Sequence, residues 1–161
     1  MTILGIDPGY GRIGYAVLQK RSAQHIDLIT YGCIETSAKT PHEQRLAELG
    51  TQIRRLISAH TPDMLAMEQL FFVKNVTTAI RVGEARGVIL AIAGARHIPV
   101  RECTPTAMKR AVTGYGNATK QQIQRMMEQV FHLKKAIEPD DAADAVAIAW
   151  TILGTMSFKY I

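Results

Sequence analysis

Apolar residues fall first in short runs and then at helical spacing, and that switch predicts the architecture. Residues 2–7 form a short apolar run ending at Asp7-Pro8-Gly9, a strand followed by a turn. Residues 13–19 and 26–36, well supplied with Val, Ile, Leu, Thr and Tyr, predict two further strands. Short connections make these three an antiparallel meander. Over residues 41–60 the period lengthens, with Leu46, Leu49, Ile53 and Leu56 at three- and four-residue spacing, which predicts a helix. Pro62 ends it, and residues 64–67 predict a buried strand running into Glu68. A long helix over 75–96 and a strand over 98–103 follow. Helices over 106–112 and 119–131 flank Gly114-Tyr115-Gly116, and a last helix over 139–158 opens at Pro139, whose fixed φ suits a first helical position.

This order predicts an α/β fold: one five-stranded mixed sheet, a meander plus two parallel strands, flanked by helices. The helix after the meander makes the later strands parallel additions through right-handed crossovers. In such sheets, groups at the carboxyl ends of strands converge on one edge. Asp7 and Glu68 each end a predicted strand. No linker, low-complexity tract or repeat interrupts the pattern, so residues 1–161 are expected to form a single domain.

Composition changes that picture little. With 47% hydrophobic and 20% charged residues the chain is an ordinary globular sequence. Cys33 and Cys103 lie in strand-like surroundings without metal-ligand spacing and are expected to be reduced core residues of a cytoplasmic protein. No signal peptide and no membrane span is expected. Nineteen Lys and Arg against fourteen Asp and Glu give a net charge of +5, which permits a phosphate-rich partner without identifying one.

The acids carry more. Asp-Pro-Gly is a common turn, and by itself Asp7 reads as a turn former. Glu68 ends an apolar run, where an unpaired charge is costly to bury. Asp141 and Asp144 lie three apart on one helix face; acids in a first turn also favour the helix dipole, a role open to Glu138 and Asp140. Asp144 is harder to explain that way, because it begins a strongly apolar helix. Together, Asp7, Glu68, Asp141 and Asp144 sit where the topology brings them to one edge. Clustered carboxylates repel, and hard divalent ions, Mg²⁺ or Mn²⁺, relieve that repulsion. Two such ions roughly 3.5–4 Å apart can activate water and stabilise a leaving oxygen in phosphodiester hydrolysis. No side-chain nucleophile is needed, and none is evident.

Around the acids, Phe71-Phe72-Val73-Lys74-Asn75 follows Glu68 and offers aromatics for an unpaired base and a cation for phosphate; the alternative is that both phenylalanines fill the core, and one of them, Phe72 rather than Phe71, is expected to do so. Lys109, Arg110, Tyr115, Lys120 and Arg125 form a second basic set, which a solvated helical face would explain as well. Gly9-Tyr10-Gly11-Arg12-Ile13-Gly14 satisfies the dinucleotide-binding pattern. That motif must open a helix, and here a hairpin strand is expected, with Asp7 close to where a diphosphate would lie.

Taken in order, residues 3–9, 67–71 with Lys74-Asn75, 83–87, 109–116 and Asp141-Ala142-Ala143-Asp144 resemble the RuvC crossover-junction endodeoxyribonuclease family, with its ribonuclease H-like fold. The resemblance spans nearly the whole chain. It implies a homodimer that binds four-way (Holliday) DNA junctions and nicks two strands of like polarity, leaving 5′-phosphate and 3′-hydroxyl ends. It implies Mg²⁺ or Mn²⁺, two ions per site, and a branch-migration motor complex as partner. Asp7, Glu68, Asp141 and Asp144 match the metal-binding catalytic acids, with Asp140 an additional acid beside them. Phe71 resembles the aromatic that stacks at the opened crossover, with Lys74 beside it. Lys109 and Lys120 resemble basic residues along the scissile backbone. The helix over 75–96 is the expected dimer contact. The rival readings are a sister nuclease for RNA–DNA hybrids, a non-catalytic junction binder and a sugar-kinase-like ATP-binding fold.

Overall fold

The computed structural model describes residues 1–22, 24–69 and 76–156. Strands β1 (Thr2–Asp7), β2 (Arg12–Lys20) and β3 (Ile26–Glu35) form the meander, followed by helix α1 (His42–His60). Strand β4 (Met64–Glu68), helix α2 (Val76–Ala95) and strand β5 (Val100–Cys103) come next. Helices α3 (Pro105–Thr113), α4 (Lys120–Val130) and α5 (Asp140–Met156) close the chain. The five strands stand in the order β3-β2-β1-β4-β5. β1 and β2, and β2 and β3, pair antiparallel; β4 is parallel to both β1 and β5. This is the mixed sheet that the order of elements predicts.

Alternation along the strands builds two cores. Leu4, Ile6, Ile13, Val17, Leu65 and Met67 point to one face, where α1 (Leu49, Ile53, Ile57) and α2 (Ala85, Ile89, Ile92) cover them. Ile3, Ala16, Leu18, Met64 and Ala66 point to the other, under α5 with α3 and α4. Each fully buried Ile or Leu contributes roughly 1.5–3 kcal/mol.

The differences from expectation are local. The strand expected over 98–103 begins at Val100, because Ile98 N donates to Ala93 O and closes α2, with His97 at φ 55°. Pro139, expected as the first helical residue, lies just outside α5, its carbonyl accepting from Ala142 N. Thr119 caps α4 in a reciprocal pair with Gln122 rather than belonging to the helix. Residue 75 and residues 157–158 of the expected helices lie outside the described residues. The glycine-rich segment opens no helix: it leads into β2, with Gly14 opposite Asp7. The dinucleotide reading therefore fails on structure.

Candidate active site

Register delivers two of the acids. Ile6 pairs with Met67 across β1 and β4, so Asp7 and Glu68 follow side by side at strand carboxyl ends. Because Ile6 and Met67 enter the α1/α2 core, the acids face the α5 side. Asp141 and Asp144 arrive on the first turns of α5. Two glycines set how near that helix lies. A Cβ on Gly14 would stand 1.9 Å from Asp141 O, and one on Gly5 would stand 2.4 Å from Ala145 O. No side chain fits in either place, so glycine is what lets the start of α5 touch the sheet beside Asp7.

The acids feel one another. Burial, then the charges of Asp144, Glu68 and Asp141, push the Asp7 carboxyl up to about 7. Burial and Asp144 raise Glu68 against the opposing pull of Lys120 and Lys109. Burial also raises Asp144, although its hydrogen bond with Lys120 works the other way. Two cations of the chain meet part of this charge. Arg12 Nη2 lies 2.8 Å from Asp141 Oδ2 and 3.4 Å from Asp140 Oδ1. Lys120 Nζ lies 3.0 Å from Asp144 Oδ2 and 3.4 Å from Asp140 Oδ2. For Asp140 burial works upward, but Lys120 and Arg12 outweigh it and hold the carboxyl below its usual value. Asp140 is half exposed whereas Asp141 and Asp144 are mostly covered, so Asp140 serves as the outer anchor of both cations.

Among the described residues, no three His, Cys, Asp or Glu side chains are already gathered as a cage for a metal ion. The donor set nevertheless fits a hard cation. It is all carboxylate oxygen, it is mutually repulsive, and Asp141 Oδ2 is buried without a well-directed hydrogen bond despite the nearby Arg12 charge. Retaining Asp7 as a carboxylate in this company calls for positive charge beyond Arg12 and Lys120.

Lys109, half-buried on α3, acts on Glu68 through its field, and Lys120 stands at the start of α4 in contact with the acids. Phe71 and Lys74 lie outside the described residues, as does Phe72. Sequence reasoning missed Arg12 and Arg86. Arg12 sits within the glycine pattern, where an unpaired cation two residues before Gly14 was the available signal. Arg86 is buried in α2 and bonded to Glu68. Cys33 and Cys103 are free thiols, both pushed up to about 11 by burial first and by nearby acids.

Residues 3–152 match the family model for crossover junction endodeoxyribonuclease RuvC. The chain belongs to the RuvC family. It is 53% identical to the RuvC of Petrotoga mobilis over 93% of this chain and 91% of that one. It is 48% identical to the RuvC of Thermosipho melanesiensis over 94% of this chain and 96% of that one. Among solved structures, T. thermophilus RuvC in complex with Holliday junction substrate aligns at a TM-score of 0.92 and 30% identity, covering 98% of this chain and 95% of the other. The yeast mitochondrial Holliday junction resolvase Ydc2 aligns at 0.70 and 15% identity, which shows the shared fold.

Proposed function

We propose that this chain is a structure-selective endonuclease that resolves four-way DNA junctions, with Asp7, Glu68, Asp141 and Asp144 as its metal-holding acids. The observation that carries the reading is the meeting of four acids from three elements at one sheet edge, where burial first and then the neighbouring acids lift Asp7 to about 7. The RuvC relatives, one of them solved with a junction, support the substrate. When bound, Mg²⁺ or Mn²⁺ supplies the Lewis acidity that activates water and stabilises the leaving oxygen. Asp7 and Glu68 supply ligands from the rigid sheet edge, and Asp141 and Asp144 supply them from α5. Lys120 and Arg12, both substantially exposed, are placed to meet phosphate oxygens once the acids they hold are otherwise occupied.

A homodimer suits a substrate with twofold pseudo-symmetry, since two like sites then meet two like strands. The outer face of α2 supports it. Val76, Ile80 and Leu90 are 68%, 57% and 37% exposed, and they continue through Gly83 and Gly87 at alternating four- and three-residue spacing. A branch-migration motor that delivers junctions is the partner this activity calls for, and the cytoplasm the compartment. Among the described residues, no helix is long and apolar enough to cross a membrane.

The test is nicking of a synthetic four-way junction with Mg²⁺ or Mn²⁺, mapping both cuts, beside duplex and RNA–DNA hybrid. Symmetric paired nicks on the junction are expected, lost on chelation and in Asp7→Asn or Glu68→Gln while junction binding survives. Nicking retained by Asp7→Asn, or preferential cutting of the hybrid, would overturn the proposal.

A further inference from the structure

We infer that Arg86 is the positioning residue for Glu68: from inside α2 it grips the carbonyl at which β4 ends, and so aims the Glu68 carboxylate toward Asp7 and Asp144. The inference rests on the role proposed for Glu68.

Arg86 is only 8% exposed, on a helix face that otherwise buries Ala85, Ile89, Ile92 and Ala93. Burial disfavours its charge, and a guanidinium in such a place must be matched by acceptors. Its two arms are divided. Nη1 donates to the backbone oxygen of Glu68 at 2.6 Å, and Nη2 is bonded and ion-paired to Glu102 Oε1. Glu102 lies on β5 directly opposite Met67, the residue before Glu68. The fork therefore ties α2 to the last residue of β4 with one arm and to the neighbouring strand β5 with the other. An ion pair that merely stapled α2 to β5 would need only the Glu102 arm.

The grip falls where it matters for a ligand. Glu68 is the last residue of β4, and beyond it Gln69 N still bonds to Cys103 O at 2.9 Å. A glutamate has three side-chain torsions, so its carboxylate is only as well placed as the backbone that carries it. A planar fork holds two acceptors at fixed geometry, which a lysine ammonium does not.

The test compares Arg86→Lys, Glu102→Gln and the double variant Arg86→Met/Glu102→Gln, which leaves no unpaired buried charge. Four quantities are read: melting temperature, junction binding without divalent metal, Mn²⁺ binding by the free-ion paramagnetic resonance signal, and single-turnover nicking. The double variant should bind junction like the parent and lose about 10–100-fold in Mn²⁺ affinity and nicking, as outer-shell partners of metal ligands do. Glu102→Gln, which keeps the arm on Glu68, should stay near parental Mn²⁺ affinity, and Arg86→Lys should fall between. Should the double variant fail to fold, Arg86→Lys decides, because parental Mn²⁺ affinity in that protein overturns the inference. So does a loss in Glu102→Gln equal to that of the double variant, since the ion pair alone would then be what counts. Parental Mn²⁺ binding and nicking in Glu68→Gln would instead remove the role of Glu68, an outcome read from a separate protein.

Discussion

Glycines recur in two regions of this molecule, and the two are used in opposite ways. Under α5, Gly5 and Gly14 are filled against: the helix backbone occupies the space a side chain would need. On the outer face of α2, Gly83, Gly87 and Gly94 have nothing within 4 Å of where a Cβ would lie. The first pair is a completed contact and the second an open one. The completed contact buries acids and brings like charges together, and its cost appears in the carboxyls of Asp7, Glu68 and Asp144, raised by burial first and by neighbouring acids after it. The open contact is lined by exposed Val76, Ile80 and Leu90 with glycines between them. Under the proposed function, the first region is the one to hold cations and the second the one to receive another copy of the chain.

The sharpest way to break this contrast is Gly14→Val. The new Cβ must displace the Asp141 carbonyl, and α5 cannot move without uncovering Ala145 and Ala149 over Gly5. Overpacking typically costs about 1–3 kcal/mol, and a clash with backbone lies at or above the top of that range. Thermal melting should show a large loss, and any folded fraction should no longer nick junctions. A variant that melts and cuts like the parent would mean that α5 does not lie against β2 as described.

An effect of opposite sign follows from the crowding itself. Asp7 rises from an ordinary 3.8 to about 7, so between those values the metal-free folded protein holds a proton that the unfolded chain releases. Stability of the metal-free protein then falls as pH rises through that window, at about 1.4 kcal/mol for each pH unit at most. Asp7→Asn removes this liability. At pH 8 without metal it should melt at a higher temperature than the parent, with the advantage shrinking toward pH 4, even though it cannot cut. A lower melting temperature at pH 8 would show that Asp7 is not held in a repulsive cluster.

How far the sequence discloses these regions depends on the range of the interaction. Asp7 and Glu68 are legible because each stops an apolar run at a strand end, and topology alone makes neighbours of such ends. The same local logic places α1, α2 and α4 to within a residue or so. It misplaces the start of β5, because Ile98 and Pro99 continue an apolar run while Ile98 N is bonded back to Ala93 O at the end of α2. The salt links of Arg12 and Lys120 are not legible: they depend on how closely α5 approaches the sheet, and a cation at a strand start or helix start reads as solvated. Arg86 is hidden for the same reason, because its partners lie 18 and 16 residues away and Glu84 beside it makes the segment look like a polar helical face. Phe71, which the family resemblance assigns to DNA, and Lys74, read from its place beside the aromatics as a phosphate contact, lie outside the described residues.

The smallest effect tests the open contact. Gly83 and Gly87 lie inside α2, where glycine costs about 0.5–1 kcal/mol relative to alanine, and nothing stands near either position to oppose a methyl group. Gly83→Ala and Gly87→Ala should therefore each stabilise the helix by about that amount where the chain is monomeric, as read by melting at low concentration. Close helix-to-helix approach is sensitive to the same methyl groups, so in the homodimer they should separate the outer faces of α2. Sedimentation across a concentration series should show weaker self-association in both variants and the weakest in the double one. Stability gained with association unchanged would mean that the face through Val76, Ile80 and Leu90 is not where two copies meet. A loss of stability in the monomer would mean that the space beside these glycines is already taken.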